Sequence, residues 1–329
     1  MSQVKKVVKR GYRYCPKCGE KLVKNGKECG KQRWRCRCCG TATVRKRSDI
    51  KLNNLSRSTN NYLTQTTKAA VVAKRLSRSR TSFWRDRSSV PLTLSLPPYS
   101  HADAPAYYVL DAKGTRPGVV AIVRDRKRVR NWRYGEQEDS RLWRSTIYGL
   151  DRPMAVVLDG QKGALAVIEA TWPSVIIQRC LVHVVRNITA KITLHPETIA
   201  GQQLRWLVDR IWLVETRRYM EQWVTIFNNM YESHKKFLSS RTYSNNPFSD
   251  KKWWYTHNNT RNAYKQIADL IKLGQLFAYI EYPHLKLPRT TNLLEGGINA
   301  RIDELLHAHR GLILEHKMKV IDAYLKSRS

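Results

Sequence analysis

Two short apolar runs in the middle of this 329-residue chain, YYVLD (107–111) and AVVLD (155–159), each end on an aspartate. A strand that is apolar at every position must be covered on both faces, because successive side chains point to opposite sides of the sheet. The rest of the fold must therefore supply two covering layers. GVVAIVRD (118–125) and RVRNWR (128–133) read as two further strands around a charged turn. EQEDSRLWRSTIYGL (136–150) and GALAVIEATW (163–172) read as helices, and SVIIQRC (174–180) as one more strand. Three consecutive strands, a helix, then alternating strand and helix predict an α/β domain with a mixed sheet under helical cover.

Charge narrows the partner. Sixty Lys and Arg face 26 Asp and Glu, a net charge of +34. Residues 1–90 carry 25 basic and 4 acidic side chains, 25 − 4 = +21. So lopsided a distribution points to a polyanion, most simply nucleic acid, rather than to a uniformly solvated surface. The chain has no 18-residue apolar stretch and no apolar leader, so a cytoplasmic protein acting at a prokaryotic nucleoid, without membrane contact, is expected. In that compartment seven cysteines, six of them before residue 40, point to metal rather than to disulfides.

Cys15-x2-Cys18 and Cys36-x2-Cys39 have the spacing of a two-knuckle zinc ribbon, with a glycine after each pair for the tight turn. Four thiolates close the site, so Zn2+ there is structural and supplies the folding energy of a segment too short for a core. Cys38 is an alternative ligand to Cys36 or Cys39, and Cys29 is a spare. Residues 64–87 resemble a helix-turn-helix. Ala69, Val72, Ala73 and Leu76 line a first helix; Ser79 caps a second, with Phe83 facing inward. Arg78, Arg80, Arg85 and Arg87 remain for DNA phosphates and base edges. The plainer alternative is a basic helical hairpin. Residues 88–105 hold four prolines and several serines, a linker.

Taken singly, the acids mean little. An aspartate at a strand end is often a cap, and Asn292 with Glu295 in RTTNLLEGGINARI (289–302) fits a capping box at a helix start. Two glycines in that first turn cost about 1 kcal/mol each relative to Ala. They make sense if the backbone beside Glu295 must be approached closely by DNA or by a neighbouring strand. Taken together, Asp111 and Asp159 at the ends of neighbouring strands and Glu295 on a later helix bring three carboxylates to one sheet edge. Such a set suits two Mg2+ ions, with Mn2+ as a substitute, clamping a phosphodiester.

The order of elements is that of ribonuclease H-like domains. In addition, YYVLDAKG, VVLDGQKG, QRCLVH and RTTNLLEGGIN, in that order, resemble the Mutator-like group of bacterial insertion-sequence transposases over residues 106–310. The resemblance implies a ribonuclease H-like fold, an Asp-Asp-Glu site made by Asp111, Asp159 and Glu295, and a helical insertion before the glutamate. It also matches Cys180 and His183 to the C-x2-H pair that follows the second Asp in this group, and a supporting role near the carboxylates, with His183 at the scissile phosphate, is expected of them. A buried Cys beside a packed His is the plainer reading. Within the insertion, Leu204, Leu207, Ile211, Val214, Trp223, Phe227 and Met230 recur at helical spacing. Trp253 and Trp254 in KKWWYTHNN are expected in a helical core, with stacking on unpaired bases as the alternative.

The expected organisation is a zinc ribbon (1–47), a helix-turn-helix region (48–88), a linker (89–105), a first catalytic part (106–194), a helical insertion (195–285) and C-terminal catalytic helices (286–329). The function implied is a DNA transposase that binds terminal inverted repeats and double-stranded target DNA as a dimer or larger assembly, cleaving 3′ ends and transferring strands. The rivals are a non-catalytic DNA-binding regulator and a ribonuclease H-like nuclease or resolvase.

Overall fold

The computed structural model describes residues 14–15, 17–28, 31–43, 59, 62–75, 79–88, 105–246, 248, 250–309 and 313–329. The chain divides into two compact units, one of residues 1–93 with 307–312, the other of 94–306 with 313–329.

In the first unit, β1 (Leu22–Glu28), β2 (Lys31–Cys36) and β3 (Ala42–Thr43) form a small antiparallel sheet. Gly19 (φ 79°) and Gly40 (φ 72°) adopt the left-handed conformation that L side chains resist. This turns the chain back, so that their N–H groups reach the carbonyls of Cys15 and Cys36. Helices α1 (Ala69–Arg75) and α2 (Arg80–Ser88) follow. As expected, the Ser79 hydroxyl caps α2 through the N–H of Ser82 at 3.1 Å, and Phe83 is fully buried. Phe83 packs edge-on against Tyr62, whose ring also meets His309. Arg80 and Arg85 are exposed. Arg78, Leu76, Cys29 and the side chain of Arg87 lie outside the described residues.

The second unit is α/β. Its strands β4 (Tyr107–Gly114), β5 (Val119–Arg124), β6 (Val129–Gly135), β7 (Ala155–Leu158) and β8 (Ile176–Arg179) lie in the order β6-β5-β4-β7-β8. β5 is antiparallel to β4 and β6, whereas β4, β7 and β8 are parallel. Helices α3 (Ser140–Ile147) and α4 (Lys162–Thr171) cover one face, burying Leu142, Trp143, Val167 and Ile168 on Tyr108, Leu110, Val156 and Leu158. α3 is shorter than its sequence suggests because Asp139 caps it, accepting the Leu142 N–H at 2.8 Å.

Helices α5 (Leu181–Ile192), α6 (Ile199–Asp209), α7 (Arg217–Ser233) and α8 (Lys235–Ser239) lead to a two-stranded ribbon of β9 (Arg241–Tyr243) and β10 (Trp253–Tyr255). Then come α9 (Asn258–Lys272) and α10 (Ala278–Glu281). The inserted helices share their own core, in which Leu204, Leu207, Ile211, Val214, Trp223 and Phe227 are buried as their spacing predicts. Trp253 and Trp254 do not join it. A strand puts alternate residues on opposite faces, and here Trp253 lies half-buried under the Arg241 guanidinium at 4.0 Å while Trp254 is exposed.

Leu293–Asn299 is a π-helix, continued by α11 (Ala300–Ala308), and α12 (Leu314–Lys326) ends the chain. The π-helix runs beside β4. Arg124 of β5 holds its first carbonyl, Leu293 O, at 2.9 Å, and Lys113 of β4 pairs with Asp303 of α11 at 2.7 Å. Among the described residues no helix is long and apolar enough to cross a membrane.

Candidate active site

Sheet register decides which acids meet. Tyr107, Tyr108 and Val109 of β4 pair with Ala155, Val156 and Val157 of β7 in parallel. Two residues further along each chain stand Asp111 and Asp159, on the face that Val109 and Val157 share. Asp111 is buried, while Asp159 is half-buried just past the end of β7. Burial, reinforced by the negative charges of Glu295 and Asp159, pushes the Asp111 carboxyl up to about 7 from 3.8. Both partner carboxylates are thus close enough to be felt, although Glu295 lies 184 positions downstream (295 − 111).

Each acid is held by neighbours. Asn299 donates its Nδ2 to Asp111 Oδ2 at 2.6 Å, inside the protein. Asp159 Oδ1 accepts the Gln161 N–H at 2.9 Å. The cap of α4 is instead the Gln161 side chain, which accepts from the Ala164 N–H at 2.6 Å, so Asp159 is spared that duty. Behind it, the Arg179 guanidinium donates to Asp159 O at 2.9 Å and lies where a Cβ on Gly160 (φ 93°) would stand, 1.7 Å from it. Gly160 is favoured by its left-handed backbone conformation, and a side chain there would also push the Arg179 guanidinium aside.

The capping box at Glu295 does not form. Asn292 adopts helical dihedrals and makes no side-chain cap bond. The Thr291 hydroxyl instead donates to Glu295 Oε1, and Thr291 O takes the N–H groups of Leu294 and Glu295. The π-helix widens the turn, a geometry frequent at functional positions. Its two polar members facing the sheet are Glu295 and Asn299. Gly296 and Gly297 are exposed, and a Cβ on Gly297 would meet nothing within 4 Å. Among the described residues nothing of this chain takes the space beside Gly297, whereas a Cβ on Gly296 would meet Asn292 Oδ1 at 3.3 Å.

Cys180 and His183 border the same acids. Cys180 is fully buried and accepts from the Thr291 N–H at 3.4 Å, with the Thr291 hydroxyl oxygen at the same distance from its sulfur. Burial disfavours its thiolate, but hydrogen bonds from His183 and Thr291 outweigh that and lower the thiol. The hydrogen bond to Cys180 correspondingly raises His183, against desolvation. His183 Nδ1 stands 3.5 Å from Glu295 Oε1, and Arg186 Nη1 lies 3.9 Å from Oε2. The packed-pair reading thus fits Cys180, whereas His183 reaches the acids.

Sequence reasoning missed Asn299, Thr291 and Arg179, and it missed Glu138, a fourth acid in the group. Burial raises Glu138, and the charge of Asp159 adds to the shift. No spacing rule singles out such partners; only the glycine after Asp159 hinted at a close approach. Away from the acids, a cavity of about 710 Å³ is lined by Arg126, Lys127, Arg128, Arg130, His284 and Lys286. It lies at the turn between β5 and β6. Buried Asp125 ties that turn down, accepting the N–H groups of Lys127 (2.6 Å) and Arg128 (2.7 Å) and pairing with Arg130 at 2.5 Å.

In the first unit, the Sγ atoms of Cys15, Cys18, Cys36 and Cys39 all lie within 4.8 Å of one another, a group that can hold zinc. Cys38 stays outside it and is exposed. Hydrogen bonds from Thr41 lower the Cys39 thiol to about 6, favouring the thiolate a metal needs.

Residues 123–273 match the family model described as "Transposase, Mutator family", a span that holds the motifs VVLDGQKG and QRCLVH and leaves those of Asp111 and Glu295 outside it. No curated protein matches the chain.

Proposed function

From a chain that carries a Mutator-family transposase segment, and whose expected partner is therefore DNA, we propose a DNA transposase with an Asp-Asp-Glu site of ribonuclease H-like architecture. The observation that carries this reading is the convergence of Asp111, Asp159 and Glu295, from two adjacent parallel strands and a distant π-helix, with both partner charges acting on Asp111. The strand order β6-β5-β4-β7-β8 with β5 reversed supports the ribonuclease H-like assignment. The α1–α2 pair, with its Ser79 cap and buried Phe83, supports a helix-turn-helix that, with the zinc ribbon, recognises terminal inverted repeats.

The acids suit a hard divalent cation in donor chemistry, although among the described residues Glu295 is the only one of the three in a group whose ligand atoms all lie within 4.8 Å, and its partners there are Cys180 and His183. The donors of the three acids are all carboxylate oxygens, and their mutual repulsion, felt at Asp111, is what a cation relieves. Asp111, Asp159 and Glu295 would hold Mg2+, which when bound activates the attacking hydroxyl and stabilises the leaving oxygen. The chain's own contribution is placement. Asn299 fixes the rotamer of Asp111, Gln161 and Arg179 fix the turn at Asp159, and Thr291 with His183 orients Glu295. Gly297 leaves the backbone beside Glu295 open to a DNA strand. His183, raised by its pairing with Cys180, offers a proton or a positive charge to a phosphate oxygen. The proposed reaction is hydrolysis at a 3′ end followed by attack of the freed 3′-hydroxyl on target DNA, without a covalent protein intermediate.

The test mixes the protein with a labelled element end and plasmid in Mg2+, beside Glu295→Gln. Joined product with the wild type and none with the variant supports the proposal. Specific end binding by both, with no cleavage or joining in Mg2+ or Mn2+, favours the regulator. Cleavage without joining of a pre-cut end favours the nuclease.

A further inference from the structure

Cys180 precedes α5 and His183 lies one turn into it, so the C-x2-H spacing turns thiol and imidazole toward the same place. Two such ligands are too few for a zinc site. The fold adds a third. Ligand atoms of Cys180, His183 and Glu295 all lie within 4.8 Å of one another, and His183 Nδ1 is 3.5 Å from Glu295 Oε1. Ligand atoms around tetrahedral zinc stand roughly 3.5 Å apart, given its bond lengths, so small shifts close the set. His183 Nδ1 is also shielded from solvent and faces the Glu295 carboxylate. A thiolate and an imidazole are soft and borderline donors. They suit Zn2+ and are poor ligands for Mg2+.

We propose that Cys180, His183 and Glu295 form a second Zn2+ site that draws Glu295 away from Asp111 and Asp159 and thereby switches the enzyme off. Binding releases the thiol proton to solvent and leaves the fourth zinc position to water. Two different metals then compete for one glutamate: Mg2+ through the carboxylate set, Zn2+ through the sulfur and nitrogen pair. The metal site stands on geometry alone, whereas the inhibition rests on the transposase reading.

The experiment counts zinc on the full-length protein after equilibrium dialysis, for wild type, Cys180→Ser and Glu295→Gln. Two ions per chain are expected for wild type, one in the ribbon and one here, and the second should bind at least about 100-fold more weakly in each variant, since even outer-shell losses cost 10–100-fold. Cobalt substitution gives a second readout, because a thiolate-to-cobalt band beyond that of the ribbon should vanish in Cys180→Ser. One ion in wild type, or two of equal affinity in all three proteins, overturns the site. Zinc titrated into strand transfer should then inhibit wild type at lower concentration than Cys180→Ser, each scaled to its own rate in Mg2+. Equal sensitivity overturns the switch. Two zinc ions on a protein that joins no DNA would leave the site standing and overturn the transposase reading instead.

Discussion

Burial at the centre of the sheet, with two acids nearby, holds Asp111 near neutrality, and this has a thermodynamic consequence. Between 3.8 and about 7 the folded chain keeps a proton that the unfolded chain has lost. Stability of the metal-free protein therefore falls as pH rises through that window and levels off above it. Asp111→Asn removes the charge while keeping an acceptor for Asn299. Above pH 7 it should stabilise the metal-free protein by about 1.4 kcal/mol for each tenfold by which folding strengthens proton binding at Asp111. Below 3.8 the two proteins should melt together. Thermal melts at both extremes check this; equal melting at high pH would mean that Asp111 is not crowded by charge. On the proposed function, Mg2+ binding to wild type requires that proton to leave, so its affinity should rise with pH up to about 7.

Two elements carry predictions of their own. The π-helix presents Glu295 beside two exposed glycines, and Gly297 has open space where a side chain would stand. Gly297→Ala should leave stability unchanged or raise it by up to about 1 kcal/mol, the usual helix preference for alanine. Strand transfer should nonetheless fall if DNA passes there, and Gly297→Leu should lower it further. Equal losses of melting temperature and activity would reject that account. The turn between β5 and β6 points Arg126, Lys127 and Arg128 at a basic cavity, and its one acid, Asp125, is occupied by Arg130 and the turn's own N–H groups. Replacing the three basic residues with alanine should reduce the slope of log DNA affinity against log salt by up to about 3, since each phosphate left without its cation lowers it by roughly one. An unchanged slope would make this turn a solvated surface.

For the whole molecule, the four-cysteine group is the element that cannot be stable without help. Among the described residues, the three-stranded sheet and its knuckles bury only Cys15, Leu22 and Cys36 as an apolar cluster, which is little core. A strong zinc chelator should therefore raise amide hydrogen exchange across residues 17–28 and 31–43 while β4, β5 and β7 keep their protection. Uniform change across both regions, or none, would contradict a structural metal at this site. The same treatment should abolish preference for element ends, while the net charge of +34 preserves non-specific binding at low salt.

Local chemistry was legible in the residues themselves. Apolar runs determined β4 and β7, glycine and cysteine spacing determined the knuckles, Ser79 marked the start of α2, and periodicity marked the helices of the insertion. Each depends on neighbours a few positions apart, so the pattern is written in one stretch of chain. Tertiary structure alone decided what those stretches meet. Parallel register set Asp111 beside Asp159, and the π-helix brought Glu295 and Asn299 back to β4 across most of the domain. The same return turned a two-ligand C-x2-H pair into a three-ligand group and left Asn292 without the cap its position suggested. Trp253 and Trp254 left the helical core because pairing with β9 made their segment a strand. These are contacts between residues far apart in sequence, where burial and charge are set by the fold, and no local pattern encodes them.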